Sequence, residues 1–260
     1  MLDRSGSMAS WGKWLSAKSA VTKLTTTYNA AIHFGLMLFP GPGGICGKGI
    51  VDVPNQPNAK GKIAWALNKS TPYGNTPMAA SLAFAKNYIK GSKKANRYVL
   101  LITDGAPNCQ PSNPVPEVNA MRSMGIKTFV VGFGLGVDAA TLNALATAGG
   151  TAKSGWTKYY QANNTADLSK VLATIGGIVS CCGNGKRESW EVCEKSLPVS
   201  KGGCPKTASQ CAYKKCAYAV LSGSECNVTC SYKPVTQPKD GDGCCPAGAN
   251  YNNDKDGKNK

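Results

Sequence analysis

Apolar and polar positions along the first 180 residues switch between a helical period and short continuous runs. Over residues 10–29, Trp14, Leu15, Ala17, Val21, Leu24 and Tyr28 recur at three- and four-residue spacing, which predicts an amphipathic helix. Residues 30–39 are almost unbroken apolar and stop at Pro40, the pattern of a strand buried on both faces. The one imidazole of the run, His33, reads as a core residue without a chemical role. Residues 50–53 form a short run ending at Pro54, which suits an antiparallel edge strand.

A short helix with Ile63, Trp65 and Leu67 is expected over residues 58–68, then a loop feeding a helix from Pro77 to Ile89. Pro77 suits the first helical position and leaves Thr76 at the cap. Residues 97–103 form a second buried strand that stops at Asp104-Gly105. A helix over 115–124, a strand over 126–132, a helix over 138–148, a short strand near Tyr159 and Tyr160, and a helix over 166–175 complete the series. Asp138 and Thr165 are expected N-caps and Gly149 a C-cap. Alternating strands and helices predict an α/β fold: a doubly wound, mostly parallel sheet with helices on both faces. Ligand sites then belong at the carboxyl ends of the strands.

Cysteine usage divides the chain. Residues 1–180 hold only Cys46 and Cys109, whereas ten of the 12 cysteines crowd the remainder. Dense cysteines in a segment poor in Leu and Ile predict a disulfide framework standing in for a core, and an oxidising compartment. Zinc is the competing reading, with Cys226 and Cys230 as two ligands, but no His lies nearby and the adjacent cysteine pairs have the wrong spacing. The expected organisation is a domain over 1–177, a cysteine-rich region over 178–247 and a polar, disordered tail over 248–260. No run of membrane-spanning length and no leader-like start is present.

The net charge is +16, with 18 basic and six acidic residues up to Gly176. The lysines are scattered singly, so the surface reads as a solvated basic face favouring an acidic partner or polymer rather than a nucleic-acid groove.

Against so few acids, the alternation Asp3, Ser5, Ser7 at the start stands out. Three oxygen side chains on a tight turn can converge on a hard cation; alone, the same residues could equally be a polar turn capping the first helix. Thr76 and Asp104 add oxygens from two further loops of the same expected rim.

In the stretches Asp3-Arg-Ser-Gly-Ser-Met8, Gly74-Asn-Thr-Pro-Met78 and Leu101-Ile-Thr-Asp-Gly105, the sequence resembles the von Willebrand factor A domain family. The resemblance covers residues 1 to about 177. It implies a Rossmann-like domain with a metal-ion-dependent adhesion site, in which Ser5, Ser7 and Thr76 contact Mg²⁺ through hydroxyls while Asp3 and Asp104 act directly or through water. Mn²⁺ and Ca²⁺ are the alternatives. A coordination position is then left for a Glu or Asp carboxylate of a protein partner. The family's strand order also implies a Cys46 to Cys109 disulfide across the metal end. A central strand of ~5 or more residues should lead into the metal turn, yet two residues precede Asp3. The expectation is therefore a fragment, or an internal Met start, that lacks most of the first strand and any export signal.

The Cys182-Gly-Asn-Gly unit running to Cys193 resembles cysteine-rich repeats of secreted myxobacterial proteins. Asn252, Asp254 and Asp256 resemble the start of an EF-hand calcium loop that no Glu closes. The resulting expectation is an extracellular or cell-surface, metal-dependent binding module without catalysis. The alternative is a structural or assembly protein in which the metal only stabilises the fold and the tail attaches to a surface.

Overall fold

The structure is a computed structural model and describes residues 1–92, 96–180, 185–187, 192–194, 196–222, 228–239, 244, 246 and 249. It divides into two compact units, Met1–Ser180 and Cys181–Lys260.

In the first unit the elements follow as β1 (Leu2–Asp3), α1 (Lys13–Thr27), β2 (Phe34–Phe39), β3 (Ile50–Gln56), α2 (Lys60–Lys69), α3 (Met78–Lys90), β4 (Arg97–Thr103), α4 (Val115–Ser123), β5 (Ile126–Phe133), α5 (Ala139–Ala148), β6 (Tyr160–Ala162) and α6 (Thr165–Val179). The sheet order is β3-β2-β1-β4-β5-β6. All neighbours are parallel except β3, which runs antiparallel to β2. This is the doubly wound α/β sheet expected of the pattern.

The two faces carry separate cores. On one, Leu2, Leu38, Ile102, Phe129 and Val131 meet Trp14, Val21 and Leu24 of α1 together with Leu168 and Leu172 of α6. On the other, Phe39, Leu101 and Val130 meet Met78 and Leu82 of α3, Val118 and Met121 of α4, and Leu142 and Leu145 of α5. Successive residues Leu101 and Ile102 thus serve opposite cores, as the period of a strand requires.

β1 has two residues, and it pairs on both sides: Leu2 stands opposite Leu38 and Ile102, and Asp3 opposite Phe39. Residues 34–37 of β2 extend below it. The sheet is therefore complete at its carboxyl end, where the candidate site lies.

Several local expectations are corrected. A 3₁₀ segment, Gly6–Gly12, broken at Ser10 and Trp11, precedes α1, so the helix begins at Lys13. Leu15 and Trp65 lie on exposed helix faces. His33 is exposed and ahead of β2, because the strand starts only at Phe34; it is no core residue. β3 continues through Pro54 to Gln56, with register irregularities, since an edge strand tolerates a missing donor. Pro77, not Thr76, takes the cap position of α3, and Asn164, whose side chain accepts from Asp167 N, caps α6 in place of Thr165. Asp138 caps α5 by accepting from Thr141 N, and Gly149 follows its last turn.

In the second unit β7 (Ala217–Ser222) and β8 (Thr229–Pro234) form an antiparallel hairpin. Disulfides join Cys193 to Cys204 and Cys211 to Cys230. Cys230, which the zinc reading required, is thereby consumed. Asn252, Asp254 and Asp256 lie outside the described residues.

Helices α1 and α6 approach closely at Gly176, where an added Cβ would stand 2.2 Å from Tyr28 Cε2, and Tyr28 Oη donates to Ala173 O at 2.9 Å. Gly176→Ala is expected to destabilise the first unit by about 1–3 kcal/mol, the usual cost of overpacking. A thermal melt checks this, and an unchanged melting temperature would mean that the Tyr28 ring has room to retreat.

Candidate metal-binding site at the carboxyl rim

Parallel strands send their carboxyl ends to one edge, so the turns after β1, β2 and β4 emerge together. Backbone bonds tie these turns to the loop before α3. Arg4 N donates to Phe39 O at 2.7 Å, Tyr73 N to Arg4 O at 2.8 Å, Gly6 N to Gly74 O at 2.9 Å and Asn75 N to Ile45 O at 2.7 Å. Gly74 has φ +69°, and a Cβ there would sit 2.8 Å from Ile45 O, so only glycine passes between these strands of loop. The Cys46–Cys109 disulfide, with Cα atoms 5.7 Å apart, links the loop after β2 to the loop after β4.

Within this frame the sequence-predicted residues converge. Asp3 is fully buried; its Oδ1 accepts from Ser5 N at 2.8 Å and its Oδ2 from Thr103 Oγ1 at 2.5 Å. Ser5 Oγ and Ser7 Oγ are 3.0 Å apart, and Ser7 Oγ donates to Asp104 Oδ1 at 2.7 Å. Thr76 belongs to the same cluster: a Cβ built on Gly105 would stand 3.8 Å from Ser7 Oγ and 3.9 Å from Thr76 Oγ1. Asp3, Ser5, Thr76 and Asp104 are buried, whereas Ser7 is exposed, so the cluster opens to solvent on the Ser7 side.

Burial pushes the Asp3 carboxyl up to about 6, against the hydrogen bonds from Ser5 and Thr103 that favour its ionised form; the neighbouring Asp104 adds to the rise. A cation at this place would offset that penalty. Among the described residues no three His, Cys, Asp or Glu side chains gather as a metal site. What gathers is two carboxylates and three hydroxyls, an all-oxygen set that suits a hard cation such as Mg²⁺ better than a soft one. The residues present fit such an ion.

Three further side chains belong to the site, and sequence reading alone missed them. Thr103 holds Asp3 in place; its only signal is a hydroxyl ending an apolar strand. Asn108 Oδ1 accepts from Thr76 N at 2.6 Å, which fixes the Thr76 turn. Lys13, at the start of α1, forms an ion pair with Asp104 Oδ2, a contact across 91 residues that no local pattern reveals.

The von Willebrand factor type A domain model matches residues 1–173, and the chain belongs to that family. No curated protein matches it. Among solved structures, proximal thread matrix protein 1 of the mussel byssus aligns with TM-score 0.56 and 19% identity over 69% of this chain and 44% of that one. A further structure of that protein is described as having a zinc-occupied MIDAS motif, with the same TM-score, coverage and identity. The pilus adhesin SpaC of Lactobacillus rhamnosus GG, in its open conformation, aligns with TM-score 0.57 and 14% identity over 90% of this chain and 36% of that one. The von Willebrand factor domain of the pilus tip protein Mfa5 of Porphyromonas gingivalis gives TM-score 0.56 and 11% identity over 72% and 95%. These likenesses establish the fold. The chain spans less than half the length of the mussel protein.

Thr103→Val keeps the shape of the side chain but leaves Asp3 Oδ2 without its donor, so it is expected to cost about 1–3 kcal/mol of stability and to weaken Mg²⁺ binding. Calorimetric melting and titration check the two effects. Replacing Cys46 and Cys109 by Ser removes a cross-link spanning 63 residues, and the chain-entropy relation puts the loss at about 4 kcal/mol. Denaturant unfolding under oxidising conditions measures it.

Proposed function

We propose that this chain is a metal-dependent protein-binding module that works outside the cell or on its surface and carries out no catalysis. The observation that carries the reading is the meeting of Asp3, Ser5, Ser7, Thr76 and Asp104, from three separated loops, at one solvent-reachable point of the rim. Adhesins and matrix proteins of the same fold support it.

Ser5, Ser7 and Thr76 would hold the ion through their hydroxyls, with Asp3 and Asp104 contributing directly or through water. Mg²⁺ is the ion favoured by the donor set, with Mn²⁺ or Ca²⁺ as alternatives. When bound, such an ion offers an under-compensated positive charge to an incoming Glu or Asp carboxylate of a partner protein.

The residues themselves orient and exclude. Thr103 and the Ser5 amide keep Asp3 aimed at the rim, and Asn108 holds the Thr76 turn. Lys13 and the excess of basic residues bias the approach toward acidic surfaces, an acidic surface polymer among them. His33, the sole histidine, lies ahead of β2 at the opposite end of the sheet from the site. Disulfides in both units fit an oxidising location, and among the described residues no helix is long and apolar enough to cross a membrane. The cysteine-rich unit is the part suited to tethering the module at a surface.

Mg²⁺ at a hundredfold excess over its Kd is expected to stabilise the wild type by about 2.7 kcal/mol, and Asp104→Ala to abolish the shift. Capture of carboxylate-bearing surface proteins should be lost in EDTA and in the same variant. Metal-independent capture would overturn the adhesive reading. Stabilisation by metal with no effect on any partner would favour a purely structural ion.

A further inference from the structure

The same rim carries large apolar side chains that the fold does not use. Trp11 is 97% exposed, Leu135 88% and Ile45 65%. Each belongs to a loop at the carboxyl end of a different parallel strand: Trp11 follows β1, Ile45 follows β2 and Leu135 follows β5. Each is also anchored beside a residue of the candidate metal site. Trp11 lies between the Ser5–Ser7 turn and Lys13, which pairs with Asp104. Ile45 O accepts from Asn75 N, next to Thr76. Leu135 follows Gly134, where a Cβ would stand 3.6 Å from Lys13 Cδ.

Trp11 is held there against its own preferences. Its backbone has φ +57° and ψ +28°, left-handed geometry that a bulky residue rarely adopts. The turn at Trp11 and Gly12 breaks the 3₁₀ segment ahead of α1 and leaves the indole in solvent. A backbone outlier of this kind, at the lip of a site, is where structure is spent on binding. Trp is also the residue that most often anchors an interface. Of the other exposed tryptophans, Trp65 sits on α2 and Trp156 in the segment before β6.

We propose that Trp11, Ile45 and Leu135 form an apolar collar around the ion, and that the partner is a protein segment in which an acidic residue is flanked by large apolar side chains. The proposal rests on the carboxylate-binding reading above and adds the chemistry on either side of the carboxylate. Charge complementarity selects the acidic centre. Lys13 pairs with Asp104 and approaches Gly134, next to Leu135, and the surrounding domain carries 18 basic against six acidic residues up to Gly176. Apolar flanks would cover the collar and exclude water from the carboxylate contact, which strengthens it. A bare acidic polymer offers the charge without the flanks and would leave the collar exposed.

The test uses the full chain and short immobilised peptides with a central Glu, flanked either by Leu and Phe or by Gly and Ser, each with a Glu→Gln counterpart. In Mg²⁺, the Leu/Phe-flanked Glu peptides are expected to bind about tenfold more tightly than the Gly/Ser set, which corresponds to about 1.4 kcal/mol. That binding should vanish in EDTA and with Gln. The double variant Trp11→Ser, Leu135→Ser should lose the preference while keeping its melting temperature and its Mg²⁺ titration, because both side chains are exposed.

Equal binding of the two Glu sets would overturn the collar and leave the carboxylate reading standing. Leu/Phe peptides retained regardless of Glu and EDTA would overturn both. Retention of neither set would overturn the collar. So would metal-dependent self-association of the chain, seen by sedimentation and abolished in the double variant, because the rim would then join two copies.

Discussion

A carboxylate with no exposure, placed at the end of the middle strand of a parallel sheet, is the constraint on which the rim depends. Asp3 cannot be hydrated, so each of its oxygens needs a donor from the protein. The Ser5 amide and the Thr103 hydroxyl supply them. Satisfying Asp3 in this way turns the chain sharply after β1, brings Ser5 and Ser7 over the sheet end, and locks the turn to the end of β4. Asp104 follows Thr103 directly, so the residue that orients the first carboxylate also delivers the second.

The remaining rim contacts resist the repulsion that this arrangement creates. Two carboxylates near one another in a buried place favour separation of the loops that bear them. Lys13 offsets part of the charge on Asp104, and Ser7 bridges to its other oxygen. The Cys46–Cys109 disulfide and the backbone bonds to Gly74 and Asn75 hold the loops covalently and by hydrogen bonds. The two apolar cores below, one on each face, make the sheet a rigid platform for these loops. The second unit solves a different problem. With few apolar residues to bury, it is held by Cys193–Cys204, Cys211–Cys230 and a two-stranded hairpin.

The alternation of apolar runs and three-to-four spacing was enough to read the α/β class, the parallel sheet and most elements from β2 to α6, because burial imposes those periods directly. The oxygen-bearing residues Asp3, Ser5, Ser7, Thr76 and Asp104 were legible through the resemblance of their three stretches to the von Willebrand factor A family, since alone the first turn reads equally as a helix cap. Errors fell where local pattern competes with backbone geometry. The break at Ser10 and Trp11, the caps at Pro77 and Asn164 and the start of β2 beyond His33 all turn on individual dihedrals and single hydrogen bonds.

By itself, then, the sequence determined the fold class and the change in cysteine usage near residue 180, which follow from residue type and spacing, and it pointed to the candidate ligand residues through their family resemblance. Only the tertiary structure decided that Thr103 satisfies Asp3, that Lys13 reaches Asp104 across 91 residues, and that the loops bearing Trp11, Ile45 and Leu135 leave the same end of the sheet. These depend on which loops the sheet order brings together, a relation between distant positions that no stretch of sequence expresses.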